Sequence, residues 1–205
     1  MKPAYKAHPW HGISIGDQAP DIVNTFIEIV PSDTIKYEID KETGYLCIDR
    51  PQKYSNIVPS LYGFIPRTYC GERVAEFART NGAEGVSQGD ADPLDICVLS
   101  SHHIPHGDIL LQARPIGGLC LVDKGEADDK IIAVLLGDHI YGKYEDLSEM
   151  PKDVVERLKH YFLTYKNLPD EPKQCEISHD YGVSEAKEVI KLAMKDYRDT
   201  IFSPI

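Results

Sequence analysis

Apolar residues recur in short stretches at a two-residue period over the first two-thirds of the chain, and at a helical period over the last third. Phe26–Val30 reads as a short strand. Ile35, Tyr37 and Ile39 alternate with Lys36, Glu38 and Asp40, which predicts a strand over 35–40 with one apolar and one charged face. Lys41-Glu-Thr-Gly44 supplies a turn ending in glycine, and Tyr45–Arg50 returns as the partner strand of a hairpin. Further strands are predicted at Ile96–Ser100, Ile109–Arg114, Gly118–Val122 and Ile131–Leu136, with Pro105, Gly107, Pro115, Gly117 and Gly125 marking the corners between them. Many short strands with such punctuation predict a small barrel or sandwich. The polar, glycine-rich stretch Thr80–Gly89 reads as a loop.

From Val154 the period changes. Val154, Val155, Leu158, Tyr161, Phe162 and Tyr165 form the apolar stripe of a helix entered near Pro151. Ser184 is the predicted cap of a second helix, whose stripe is Ala186, Val189, Ile190, Ala193, Met194 and Tyr197. The expected architecture is mainly β (α+β), a single domain over residues 1–205 with two covering C-terminal helices.

Composition narrows the function. A 205-residue chain with 42% hydrophobic residues can bury one substantial core. No apolar run reaches membrane-spanning length, and Met1–Trp10 lacks the apolar stretch of a secretory signal. Five widely spread cysteines, with no Cys-x-x-Cys pair, suit reduced thiols in a cytoplasmic protein better than a disulfide frame or a zinc site. The net charge of −11 argues against nucleic-acid or anionic-membrane partners, which need basic surface. An anionic substrate would require metal ions or a local basic patch.

The chemistry concentrates in Asp90-Ala-Asp92-Pro-Leu-Asp95, three carboxylates in six residues leading into the apolar run Ile96–Leu99. Carboxylates this crowded repel one another unless a cation sits among them. Hard oxygen ligands at short spacing favour Mg²⁺, Mn²⁺ or Ca²⁺. A calcium loop of the EF-hand type does not fit, because Leu94, Asp95 and Ser101 occupy its fifth, sixth and twelfth positions. A second acidic cluster, Asp123-Lys-Gly-Glu126-Ala-Asp128-Asp129-Lys130, again adjoins strands and could supply the opposite wall of a multi-metal site. Lys36, Arg50, Tyr62, Lys130, Tyr165 and Lys166 stand at strand or helix ends, where each has an ordinary structural reading. Jointly, such donors with metal ions would make a pocket for a highly charged phosphate.

On these residues the chain resembles the soluble family I inorganic pyrophosphatases from about Ile22 to Tyr197. The resemblance rests on Glu28 in Phe-Ile-Glu-Ile, Ile35-Lys-Tyr-Glu-Ile-Asp-Lys-Glu-Thr-Gly44, Ile48-Asp-Arg50 and Leu61-Tyr-Gly-Phe-Ile-Pro66. It continues through Gly89-Asp-Ala-Asp-Pro-Leu-Asp95, Ala113-Arg-Pro-Ile-Gly117, Asp123, Asp128-Asp-Lys-Ile-Ile-Ala-Val134 and His160-Tyr-Phe-Leu-Thr-Tyr-Lys166. It implies a five-stranded OB-like closed barrel with flanking helices, hydrolysing pyrophosphate to two phosphates with several Mg²⁺ ions, Mn²⁺ and Zn²⁺ being substitutes. Carried over by position, Asp90, Asp95, Asp123 and Asp128 match the metal ligands and Asp92 the general base. Lys36, Arg50, Tyr62, Lys130, Tyr165 and Lys166 match the groups that hold pyrophosphate and phosphate, and Glu28 and Glu38 match supporting acidic positions.

Val58 departs from the pattern, standing where many members carry a tyrosine. Residues 1–20 are expected to be an N-terminal extension and 70–89 an inserted loop, and the connection over 164–182 also exceeds that of compact bacterial members. A homo-oligomer is expected, although the hexamer of the compact members is not carried over. Two other functions compete: a non-catalytic OB-like module binding phosphate or nucleic acid, and a hydrolase of nucleoside diphosphate linkages. The first would need a basic groove with stacking aromatics.

Overall fold

The structure is a computed structural model that describes residues 6–166 and 175–202. Ten strands and three α-helices occur among the described residues. The strands are β1 (Val23–Ile29), β2 (Ile35–Ile39), β3 (Leu46–Pro51), β4 (Leu61–Phe64), β5 (Gln88–Gly89), β6 (Asp95–Leu99), β7 (Ile109–Asp123), β8 (Glu126–Ala127), β9 (Lys130–Leu135) and β10 (Cys175–Gly182). The helices are α1 (Glu72–Thr80), α2 (Lys152–Thr164) and α3 (Val183–Ile201).

Five strands pair in a closed ring. β1 is antiparallel to β4, β4 to β6, β6 runs parallel to β9, and β9 and then β1 are antiparallel to β7. Ring closure leaves these five strands no free edge along the paired stretches. β10 adds to the outside of the long strand β7, and β2–β3 form a separate hairpin.

Apolar runs such as Ile96–Leu99 and Ile131–Val134 are continuous because both strand faces are buried. Ile96, Val98, Ile131 and Ala133 join one cluster with α1 and α3, while Cys97, Leu99, Ile132 and Val134 join a second with α2. A third, aromatic cluster joins Trp10, Phe26, Phe64 and Tyr197. All five cysteines are unpaired, and four are buried. Among the described residues, no helix is long and apolar enough to cross a membrane.

The expected hairpin, four of the five ring strands and both C-terminal helices are present; the remaining ring strand, β4, is not among the expected strands, and four further differences stand out. Segment 70–89, expected as a loop, contains α1. No local side chain caps that helix; instead Asp196 of α3 accepts the N–H groups of Arg73 and Val74, at 3.0 and 3.3 Å. The stretches 109–114 and 118–122, expected as two strands, are one strand, whose register slips between Pro115 and Gly117 without breaking. Strand β10 was not expected, because its sequence Cys-Glu-Ile-Ser-His-Asp-Tyr-Gly alternates with few large apolar residues. The rest of the 164–182 connection, residues 167–174, lies outside the described residues. Finally, α3 begins at Val183, so Ser184 lies inside its first turn; Asp146 caps it by accepting the Val183 N–H at 2.7 Å. Val58 is wholly buried in the second cluster.

Candidate active site

Parallel pairing of β6 and β9 places Asp95 opposite Lys130 at the mouths of both strands. Their side chains meet in an ion pair, and Lys130 also pairs with Asp128. Lys130 is only 2% exposed. Burial would lower its ammonium, but the Asp128 and Asp95 charges outweigh that and hold it well above its usual value. On the neighbouring strand Tyr62 donates its hydroxyl to Asp95 at 2.5 Å, and burial pushes the phenol well up.

Asp90 and Asp92 arrive on the turn between β5 and β6, where Ala91 takes a left-handed φ of 62°. The Asp92 N–H donates to Asp90 Oδ1 at 3.0 Å, and the Asp92 carbonyl accepts the Cys70 N–H at 2.8 Å. Burial, then the facing Asp128 charge, raises the Asp90 carboxyl well above the ordinary range. Burial likewise raises Asp128. Asp123 ends β7 and pairs with Lys166 at 2.5 Å; burial would raise its carboxyl, but Lys166 holds it below the usual value.

The hairpin forms another wall. Lys36 and Arg50 are register partners, and Lys36 bonds Glu38 at 2.6 Å and Asp49 at 3.1 Å. Glu28 of β1 accepts the Ile39 N–H at 2.8 Å, which ties the hairpin to the ring. Burial pushes this carboxyl up to about 8. Tyr165 and Lys166 follow the last turn of α2.

All thirteen residues singled out in the sequence line one cleft of about 250 Å³. Lys41 and Glu126 line it too, and neither is among the thirteen. Lys41 sits in the hairpin turn and ion-pairs with Asp92. Its distance from the acidic motif in sequence concealed it, and turn lysines are usually solvated. Val58 does not line the cleft.

The cleft gathers eight carboxylates against five Lys and Arg side chains. Among the described residues, no three His, Cys, Asp or Glu side chains already converge as a ligand set. Instead, Lys130 lies between Asp95 and Asp128, and Asp90 and Asp128 share a hydrogen bond. An ammonium thus balances carboxylates that hard divalent cations could also balance. The donor set is all oxygen, and the excess negative charge fits such cations.

The whole chain carries a relationship consistent with this site. A family model described as inorganic pyrophosphatase matches residues 25–198. The chain belongs to the inorganic pyrophosphatase family. It is 51% identical over 195 residues to an inorganic pyrophosphatase of Chlamydia muridarum, covering 93% of each chain. It is 35% identical over 199 residues to a soluble inorganic pyrophosphatase of Zea mays, covering 97% of this chain and 83% of that one. Among solved structures, the inorganic pyrophosphatase of Thermus thermophilus superposes with a TM-score of 0.77 at 28% identity, covering 94% of this chain and 99% of the other. The mainly β, OB-like fold expected of a pyrophosphatase is therefore present, with the five-strand ring at its centre.

Proposed function

We propose that the cleft hydrolyses inorganic pyrophosphate to two phosphates with Mg²⁺. The observation that carries this reading is the convergence of eight carboxylates and five cationic side chains in one small cleft of a chain from this family. Asp90, Asp95, Asp123 and Asp128 would hold the metal ions, which when bound screen the phosphoryl charge and acidify a water. Mn²⁺ and Zn²⁺ are the expected substitutes, since both accept carboxylate oxygen.

The protein's own side chains then do three things. Lys36, Arg50, Lys130 and Lys166 neutralise the phosphoryl oxygens, and Tyr62 and Tyr165 donate hydrogen bonds to them. Asp92 accepts the proton of the attacking water; burial raises this carboxyl, the direction that makes it a better base near neutral pH. Glu28 and Glu38 hold the hairpin and Lys36 in place. Little covalent chemistry is asked of the protein, because positioning and charge neutralisation supply most of phosphoryl-transfer catalysis.

The family assignment favours this reading over a non-catalytic binding module, and the acidic cleft and net charge of −11 oppose nucleic acid. We read the chain as one catalytic domain working in the cytoplasm as a homo-oligomer. Phosphate release from free pyrophosphate, measured with Mg²⁺ and again after chelation, is the test. Turnover that needs the metal is expected; a folded, metal-loaded protein without turnover contradicts the reading.

A further inference from the structure

Lys41 reaches from the β2–β3 turn across the cleft to ion-pair with Oδ1 of Asp92. Both main-chain polar groups of Asp92 are already anchored, its carbonyl by the Cys70 N–H and its N–H by Asp90 Oδ1. What stays free is rotation of its carboxylate. Among the described residues, Lys41 is the cation ion-paired with it.

The turn that carries Lys41 is itself held from outside the hairpin. The Lys41 carbonyl lies 3.2 Å from His8 Nε2. Gly44, at a left-handed φ of 73°, packs so tightly that a Cβ there would stand 2.8 Å from both His8 and Pro9. Residues 8–12 are in turn locked to the frame. Trp10 is 4% exposed, donates its Nε1–H to the Thr68 carbonyl at 2.8 Å, and accepts the Arg67 N–H at 3.0 Å. Thr68 Oγ1 accepts the Leu94 N–H at 2.9 Å, inside the Asp90–Asp95 segment. One chain of contacts therefore runs from the N-terminal segment to the hairpin turn on one side and to the carboxylate motif on the other.

We propose that Lys41 is a positioning residue for Asp92, and that the segment His8–Gly12 is the latch that fixes its reach. The inference rests on the reading of the cleft as a pyrophosphate-hydrolysing site. Among the described residues, Lys41 ion-pairs with Asp92 and not with a proposed metal ligand. Its removal should therefore disturb the aim of the base and leave substrate and metal binding intact. Misplacing a reacting group by about 1 Å can cost about 10²-fold.

The test compares Lys41→Met, Lys41→Arg and His8→Ala with the wild type in steady-state kinetics, with Mn²⁺ binding measured separately by calorimetry. Lys41→Met should lower kcat by about ten- to a hundredfold while KM for pyrophosphate and Mn²⁺ affinity stay within about twofold. Lys41→Arg should recover most of kcat, since it keeps the charge and nearly the reach. His8→Ala, which loosens the turn and the His8–Gly12 segment but leaves Lys41 in place, should give a smaller loss of the same kind. A wild-type kcat in Lys41→Met, a loss seen in KM or Mn²⁺ affinity instead of kcat, or no recovery with arginine would each overturn the positioning role. An inactive wild type would overturn the pyrophosphatase reading and this role with it, so the two failures are distinguishable.

Discussion

Asp92 and Asp138 are both aspartates held by donors, and their surroundings give them opposite chemistry. Burial is the largest influence on Asp92 and raises its carboxyl despite Lys41. Replacing it with asparagine keeps shape and removes the proton acceptor. Asp92→Asn should therefore lose about 10²–10⁴ in kcat with its thermal midpoint nearly unchanged, the size expected for a general base; near-normal turnover would remove Asp92 from that role. Asp138 accepts N–H groups from Ser101, Ile140 and Tyr141 at 2.6, 2.9 and 2.8 Å. Although burial opposes it, these bonds hold its carboxyl down at about 2, against an ordinary 3.8. Because the folded value is depressed, the stabilisation is fully present above 3.8 and is lost as pH falls from 3.8 through about 2. Asp138→Asn should cost about 1–2 kcal/mol at pH 7 and progressively less over that acid window. Denaturant titrations at pH 7 and pH 2.5 measure it, and an equal cost at both would contradict the assignment.

The secondary elements legible in the sequence were those whose signals are local. The hairpin over 35–50 announced itself by alternation and a glycine turn, and α2 and α3 by their stripes. Helix α1 was not legible because its cap lies 122 residues away from Val74, on α3, where Asp196 is only 3% exposed. Asp196→Ala should remove that cap and the Arg73 ion pair together, at about 2–3 kcal/mol. Faster amide exchange confined to residues 72–80 would accompany the loss, whereas an unchanged exchange pattern would show that α1 holds itself. Proline and glycine in β7 misled for a related reason. They usually end strands, but here the register slips at Pro115–Gly117 while β9 keeps its pairing on either side and β10 pairs from Gly117 onward. Gly117 is needed at that point, since a Cβ would stand 2.3 Å from the Tyr181 carbonyl oxygen.

Across the whole molecule, the ring of five strands, the separate hairpin and the end of α2 bring together residues from Glu28 to Lys166 that have no sequence neighbourhood in common. The thirteen cleft residues could be named in advance through the family resemblance; spacing alone marked only the two acidic clusters. Lys41 escaped because what distinguishes it is a tertiary contact with Asp92. Gathering eight carboxylates against five cations in one place is costly for the metal-free protein, and divalent cations should relieve it. At about a hundredfold excess over Kd, Mg²⁺ should add about 2.7 kcal/mol, or roughly 5–10 °C in thermal midpoint. An excess of chelator should reverse the shift, and a midpoint indifferent to Mg²⁺ would leave the carboxylates without their proposed counter-ions. The central claim is tested most directly by following pyrophosphate itself. Phosphorus NMR of pyrophosphate with the purified protein and Mg²⁺ should show its resonance replaced by inorganic phosphate, two per pyrophosphate, and the conversion should stop on chelation and in Asp92→Asn; pyrophosphate left unconverted by the folded, Mg²⁺-loaded wild type would contradict the account.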